Sequence, residues 1–207
     1  MASAKERFDA FKANFAQTDW WRAMQLEREA SPWHREENVA VHTNMLLSFY
    51  DDNFAGNRND WQQLMTKVGC LFHDVGKPPS RIIKVSETRG EYRAYHGHEL
   101  VSARMWIDYA SGRGKQDVEN ILRFTPTEVS YLAFMIEHHV PFALARPEKR
   151  KALKAGMYNR FGEAGHRAWL DLLLSDQHGR ISDDQATKLA AVDTWMSEWQ
   201  ALEFTPG

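Results

Sequence analysis

Along most of this chain apolar residues recur at the three- and four-residue spacing of helices, and short polar clusters holding proline or glycine separate the runs. Phe8, Phe11 and Phe15 begin the series, and Trp20, Met24 and Leu26 extend it until Ser31-Pro32 breaks it, because a proline drives the residue before it out of helical backbone. The first thirty residues read as one or two packed helices. From Asn38 the run VAVHTNMLLSFY predicts a buried helix, and a loop follows over Gly56 to Asp60. In WQQLMTKVGCLFH, Trp61, Leu64, Met65, Val68 and Leu71 share one face, and Pro78-Pro79 are expected to end that helix. RIIKVSETRGEYRAYH is the only stretch with strand-like alternation around a turn signal, Arg89-Gly90. It fits a short β-hairpin or an ordered loop near 81–96, and we read it as a loop.

The second half is punctuated more clearly. Thr125-Pro126-Thr127-Glu128 combines a capping threonine, proline at the first helical position and glutamate at capping-box spacing, so a helix should run from Pro126 to the His138-His139 pair and stop at Pro141. Helices over Glu148 to Tyr158, His166 to Gln177 and Asp184 to Leu202 complete the set, the last introduced by Ser182 and Gln185. No internal repeat or linker interrupts the pattern. It predicts an all-α single domain over 1–207, with a packed N-terminal helical extension over 1–30, a core over 32–180 and a C-terminal helix over 182–203.

Composition narrows the partners. With 43% hydrophobic and 12% aromatic residues, the 207 residues suffice for one real core. A formal charge of -2 argues against a strongly basic nucleic-acid binder, and so against a reader of double-stranded DNA grooves. Cys70 is the single cysteine and cannot form an internal disulfide, and neither a signal peptide nor a membrane-length apolar stretch is present. A soluble protein of a reducing cytoplasm, with no membrane partner, is the expectation; the oligomeric state stays open.

The histidines change the picture. Eight of the nine, His34, His42, His73, His96, His98, His138, His139 and His178, lie in five short stretches, usually beside helix ends, prolines or glycines. One histidine is commonly a surface or core residue; the joint pattern carries the argument. His42 in an apolar helix, His73-Asp74 at the end of the next and Asp176 late in AWLDLLLSD can bring two imidazoles and two carboxylates together inside a bundle, as helical metal sites are built. Buried charges need such partners.

This ordered set, with HDVGKP in its middle, resembles the HD-domain superfamily of metal-dependent phosphohydrolases, over about Pro32 to Arg180. SPWHREENVAVHT, FHDVGKP, HGHELVSA and SDQHGR are most similar to the HD domains of bacterial tRNA nucleotidyltransferases and of polynucleotide kinase fusions. The resemblance implies an HD-type helical bundle in which His42, His73, Asp74 and Asp176 hold a first metal, and His98 and His138, with His139, a second. Departures narrow it. Val75-Gly76-Lys77 replaces the acidic pair expected of alarmone hydrolases, and HHVPFALARPE lacks the glycine-tyrosine-proline motif of cyclic di-GMP hydrolases. No nucleotidyltransferase module or phosphate-binding GxxxxGK[ST] loop occurs in the chain.

Divalent cations lower the pKa of water to about 7 and neutralise nonbridging phosphoryl oxygens, which is why such residues suit phosphoester hydrolysis. Asp74 is the candidate to bridge two ions and orient the nucleophile. Lys77, expected in a polar turn, is read as a catalytic contact to a phosphate oxygen, so that replacing it by methionine should lower turnover and leave stability nearly unchanged. Arg180, His34 at a helix start and His96 beside His98 are the further substrate-binding candidates. Mixed imidazole and carboxylate donors without thiolate suit Mn²⁺, Fe²⁺, Co²⁺, Ni²⁺ or Zn²⁺. The expected substrate is a nucleotide or an RNA-end phosphoester, cleaved as a 2′,3′-cyclic phosphodiester, a monoester or both. The alternatives are a deoxynucleoside triphosphate triphosphohydrolase and, in another class, a metal-stabilised regulatory or binding module without turnover.

Overall fold

Side-chain caps start most of the helices. Ser3, Thr18, Asn38, Asn59 and Thr125 each accept the backbone N–H three residues on, and Ser3, Asn59 and Thr125 complete reciprocal capping boxes with Glu6, Gln62 and Glu128. In the computed structural model, which describes residues 2–29, 36–87, 90–112, 122–140, 147–181, 186 and 189–190, these caps open α1 (Ala4–Phe15), α2 (Asp19–Leu26), α3 (Val39–Asn53), α4 (Asp60–Phe72) and, past a short helical turn α5 (Lys77–Ser80), α7 (Pro126–Glu137). Between α5 and α7 come β1 (Ile82–Ser86), β2 (Gly90–Ala94) and α6 (His98–Ala110), and α8 (Pro147–His178) follows α7. The fold is all-α with one antiparallel hairpin, registered Ile82 to Ala94 through Ser86 to Gly90.

Helix α4 is the axis. Ten of its residues from Gln62 to Phe72 are buried, and α1, α3, α6, α7 and α8 pack around it. Helix α1 is integral to this core: Phe11 and Phe15 are fully buried against Phe72, with ring centroids 6.3 and 4.7 Å away. Trp106 from α6 closes the same cluster at 5.1 Å from Phe72. Truncating a core aromatic of this kind costs about 3–5 kcal/mol.

Four expectations change. The segment read as a loop is a hairpin, and its side chains explain the misreading, since Ile82, Ile83 and Val85 are all exposed and give no buried alternation. Helix α4 stops at Phe72 rather than at the prolines; Pro78 and Pro79 sit inside α5, where a first turn tolerates them. Helix α6 was not anticipated, because its cap is Gly97 in the left-handed region at φ 76° instead of a polar side chain. The helices expected over 148–158 and 166–177 are two arms of α8, joined where Gly162 takes φ 69°. The helix expected over Asp184 to Leu202 lies outside the described residues. Among the described residues no helix is long and apolar enough to cross a membrane.

Candidate metal centre

Close backbone approaches bring residues of five separate chain segments to one place. His42 lies one turn into α3, past the Asn38 cap. Asp176 comes from the last turn of α8, which reaches α3 because Gly179 has no side chain: a Cβ there would stand 2.8 Å from Leu46 Cα. His73 caps the C-terminus of α4, and Asp74 opens the turn behind it. That turn rests on α6 through Gly76, whose N–H donates to Ser102 Oγ at 2.8 Å. A Cβ on Gly76 would meet His98 O at 2.5 Å and Ser102 N at 2.6 Å, so close contact, not backbone conformation, demands glycine. Gly97 then turns the chain so that His98 begins α6, and His139 follows the end of α7.

Two buried donor sets meet at Asp74, and Glu29, Glu36 and His42 form a third buried group beside the first. In the first, His42 Nε2 stands 3.2 Å from Asp176 Oδ1, 3.4 Å from His73 Nε2 and 3.7 Å from Asp74 Oδ2, while His73 Nε2 is 3.1 Å from Asp74 Oδ2 and 3.8 Å from Asp176 Oδ1. Atoms sharing a cation at about 2.1 Å lie about 3.0–3.5 Å apart, so these four need only small shifts to hold one. In the second, Asp74 Oδ1 is 3.0 Å from His98 Nε2 and 3.7 Å from His139 Nε2. Asp74 therefore presents one oxygen to each set.

The imidazoles are oriented for this. His73 Nδ1, His98 Nδ1 and His139 Nδ1 stand 2.7, 2.7 and 2.6 Å from the carbonyl oxygens of Cys70, Tyr95 and Ile136, each three residues back. A carbonyl only accepts, so Nδ1 donates to it and Nε2 faces the centre. At His42 the group behind Nδ1 is Glu36 Oε1, at 3.3 Å. Burial alone would lower the His42 pKa, but Asp176 and Glu36 on its two sides hold it up at about 9. Burial also favours protonated carboxyls at Asp74 and Asp176. The charges of His73 and Lys77 outweigh it at Asp74, and Arg180 with His42 does so at Asp176, keeping both well below the usual carboxylate range. Buried His, Asp and Glu groups here can hold a metal ion.

The remaining site candidates divide. His138 does not join the centre: as the C-cap of α7 it packs edge-on to Phe134 at 4.2 Å, and its neighbour His139 points inward instead. Lys77 is not in an open polar turn. It is 4% exposed, ion-paired with Glu29 and with Asp74 Oδ2 at 2.7 Å, and the Tyr95 ring lies beneath its ammonium at 5.7 Å. Arg180 likewise grips a ligand, donating to Asp176 Oδ2 at 2.7 Å and to the Asp176 carbonyl at 3.0 Å. His96 is exposed after β2, with its Nε2 2.6 Å from Lys84 Nζ. His34 lies outside the described residues.

Glu29 and Glu36, 4% and 3% exposed, went unnoticed in the sequence. Both stand in charged runs, LEREA and HREEN, that look solvated, and only the proximity of Glu36 to the capping Asn38 hinted at a role. No known family model matches the chain, and no curated protein matches it either.

Proposed function

We propose that this protein is a metal-dependent phosphohydrolase of the HD-domain kind, acting on nucleotides or RNA ends as a 2′,3′-cyclic phosphodiesterase, a phosphomonoesterase or both. The observation that supports this most is the division of Asp74, with one oxygen toward His42, His73 and Asp176 and the other toward His98 and His139. Paired cation sites sharing a carboxylate suit in-line attack at phosphorus. One or two ions of the Mn²⁺, Fe²⁺, Co²⁺, Ni²⁺ or Zn²⁺ group would supply water activation and charge neutralisation at the phosphoryl oxygens. The chain's own residues do the holding. Arg180 and Lys77 keep Asp176 and Asp74 ionised and oriented, and three backbone carbonyls fix the faces of His73, His98 and His139.

A second reading, a metal-stabilised binding or regulatory module without turnover, draws support from the same two cations. Lys77 and Arg180, expected on substrate phosphate, are engaged with carboxylates of the centre. The experiment is product analysis of metal-loaded protein against nucleoside monophosphates, 2′,3′-cyclic nucleotides, triphosphates and short RNAs. Orthophosphate or an opened cyclic ester is expected, with metal and turnover lost together in Asp74→Ala. Inorganic triphosphate would instead identify a triphosphohydrolase, and no product from metal-replete protein would favour the module.

A further inference from the structure

Of the four inward-facing imidazoles, His42 is anchored differently. His73, His98 and His139 stand at or beside helix ends, and in each the carbonyl three residues back meets a ring nitrogen, the Tyr95 carbonyl also accepting the His98 N–H at 3.2 Å. His42 is inside α3, where the Asn38 carbonyl accepts the His42 N–H at 3.1 Å and the Val39 carbonyl accepts Thr43 Oγ1 at 2.9 Å. The chain brings a side chain instead. Glu36, from the segment ahead of α3, sets Oε1 3.3 Å behind His42 Nδ1, with neither side chain exposed. That separation is long for a hydrogen bond, so the contact is first of all an ion pair.

The same Oε1 accepts the Ile181 N–H at 2.8 Å. Ile181 follows Arg180, whose guanidinium holds Asp176. One carboxylate thus touches the back of one ligand and the segment that secures another. The two donor sets are also unequal in charge. The first has two carboxylate oxygens and an imidazole backed by an anion, whereas the second has one carboxylate oxygen and two imidazoles backed by neutral carbonyls.

We propose that Glu36 is a positioning residue which fixes His42 with its proton on Nδ1, making the His42, His73, Asp74 and Asp176 set the tighter of the two and the first to fill. The inference rests on the metal-centre reading and adds an order of loading and the residue that sets it. A carboxylate behind a ligating histidine raises its basicity and orients the ring, and loss of such a partner typically weakens metal binding by about 10- to 100-fold.

Stripped full-length protein titrated with Mn²⁺, followed by electron paramagnetic resonance, tests it. Wild type should take up ions in two resolved steps, and His98→Ala should abolish only the weaker. Glu36→Gln keeps an oxygen for the Ile181 N–H and removes the charge, so the first step should weaken by about 10- to 100-fold and merge with the second. Glu36→Asp should restore part of the loss. In Co²⁺-loaded protein, the shifted His42 Nδ1–H proton resonance should exchange faster in Glu36→Gln while that of His73 stays put. Equal weakening of both steps with a large fall in thermal stability would reduce Glu36 to packing. First-step affinity and a His42 resonance unchanged from wild type would overturn the role of Glu36 alone. Wild-type protein that takes up no ion would overturn the metal centre and this proposal with it.

Discussion

Replacing Lys77 with methionine should cost stability. Sequence alone placed Lys77 in an open turn and implied a nearly neutral substitution; the structure buries its ammonium between Glu29 and Asp74. Methionine preserves much of the stem volume but leaves both carboxylates without that cation. Asp74 keeps His73 Nε2 at 3.1 Å and His98 Nε2 at 3.0 Å, while Glu29, which is 4% exposed, loses the ammonium from its surroundings. Removing one member of a buried ion pair costs about 3–5 kcal/mol. In a domain of this size each kcal/mol is worth about 2–4 °C, so Tm should fall by about 6–20 °C. Saturating Mn²⁺ or Zn²⁺ should recover only part of the loss, because an ion at Asp74 does not replace the ammonium beside Glu29. Urea midpoints and thermal melts, each with and without metal, measure both effects. A metal-free Lys77→Met protein within about 1 kcal/mol of wild type would refute the buried-pair reasoning and return Lys77 to the solvent side of the turn.

Three further outcomes follow from particular contacts. His139→Ala should remove the second step of a Mn²⁺ titration while His138→Ala keeps both, and the reverse result would place the wrong imidazole at the centre. Gly76→Ala drives a Cβ into His98 O and Ser102 N, so it should destabilise by about 1–3 kcal/mol and weaken the second ion; a wild-type melt would show the turn can move aside. Burial, with Lys154 and Arg167 nearby, lowers the His166 pKa to about 4 from 6.5. Between those values the unfolded chain binds a proton that the folded chain refuses, so stability falls as pH drops from about 6.5 to about 4. Urea midpoints across that range should decline less steeply in His166→Gln.

How much of the fold could be read from the sequence depended on whether an element announced itself locally. Helix α7 did, through Thr125, Pro126 and Glu128, and the structure shows that capping box. Helix α6 did not. Gly97 in the left-handed region turns the chain into it with no side-chain cap, and HGHEL carries no start signal of the usual kind. The hairpin failed for a different reason: alternation is informative only where one face is buried, and Ile82, Ile83 and Val85 are all exposed.

The centre shows the same boundary between local and tertiary information. The order His42, His73-Asp74 and Asp176 is a property of the chain, and the structure brings both imidazoles within 3.8 Å of each other and of both carboxylates. The choice between His138 and His139 is not, because it depends on where α7 stops. The last residue of α7 is Glu137, and His138 leaves helical backbone at φ -108° and ψ 13°, which packs its ring on Phe134 and leaves His139 facing the second set. The charged layer behind the ligands is the least readable of all. A lysine after a helix end and a glutamate in a polar run each look solvated on their own. They become buried only because Asp74 and His42 require an opposite charge and because Glu29 and Glu36 arrive from elsewhere in the chain. A sequence pattern built on ligands thus finds the inner shell of such a centre, while the residues that set the charge and direction of those ligands emerge only once the helices are packed.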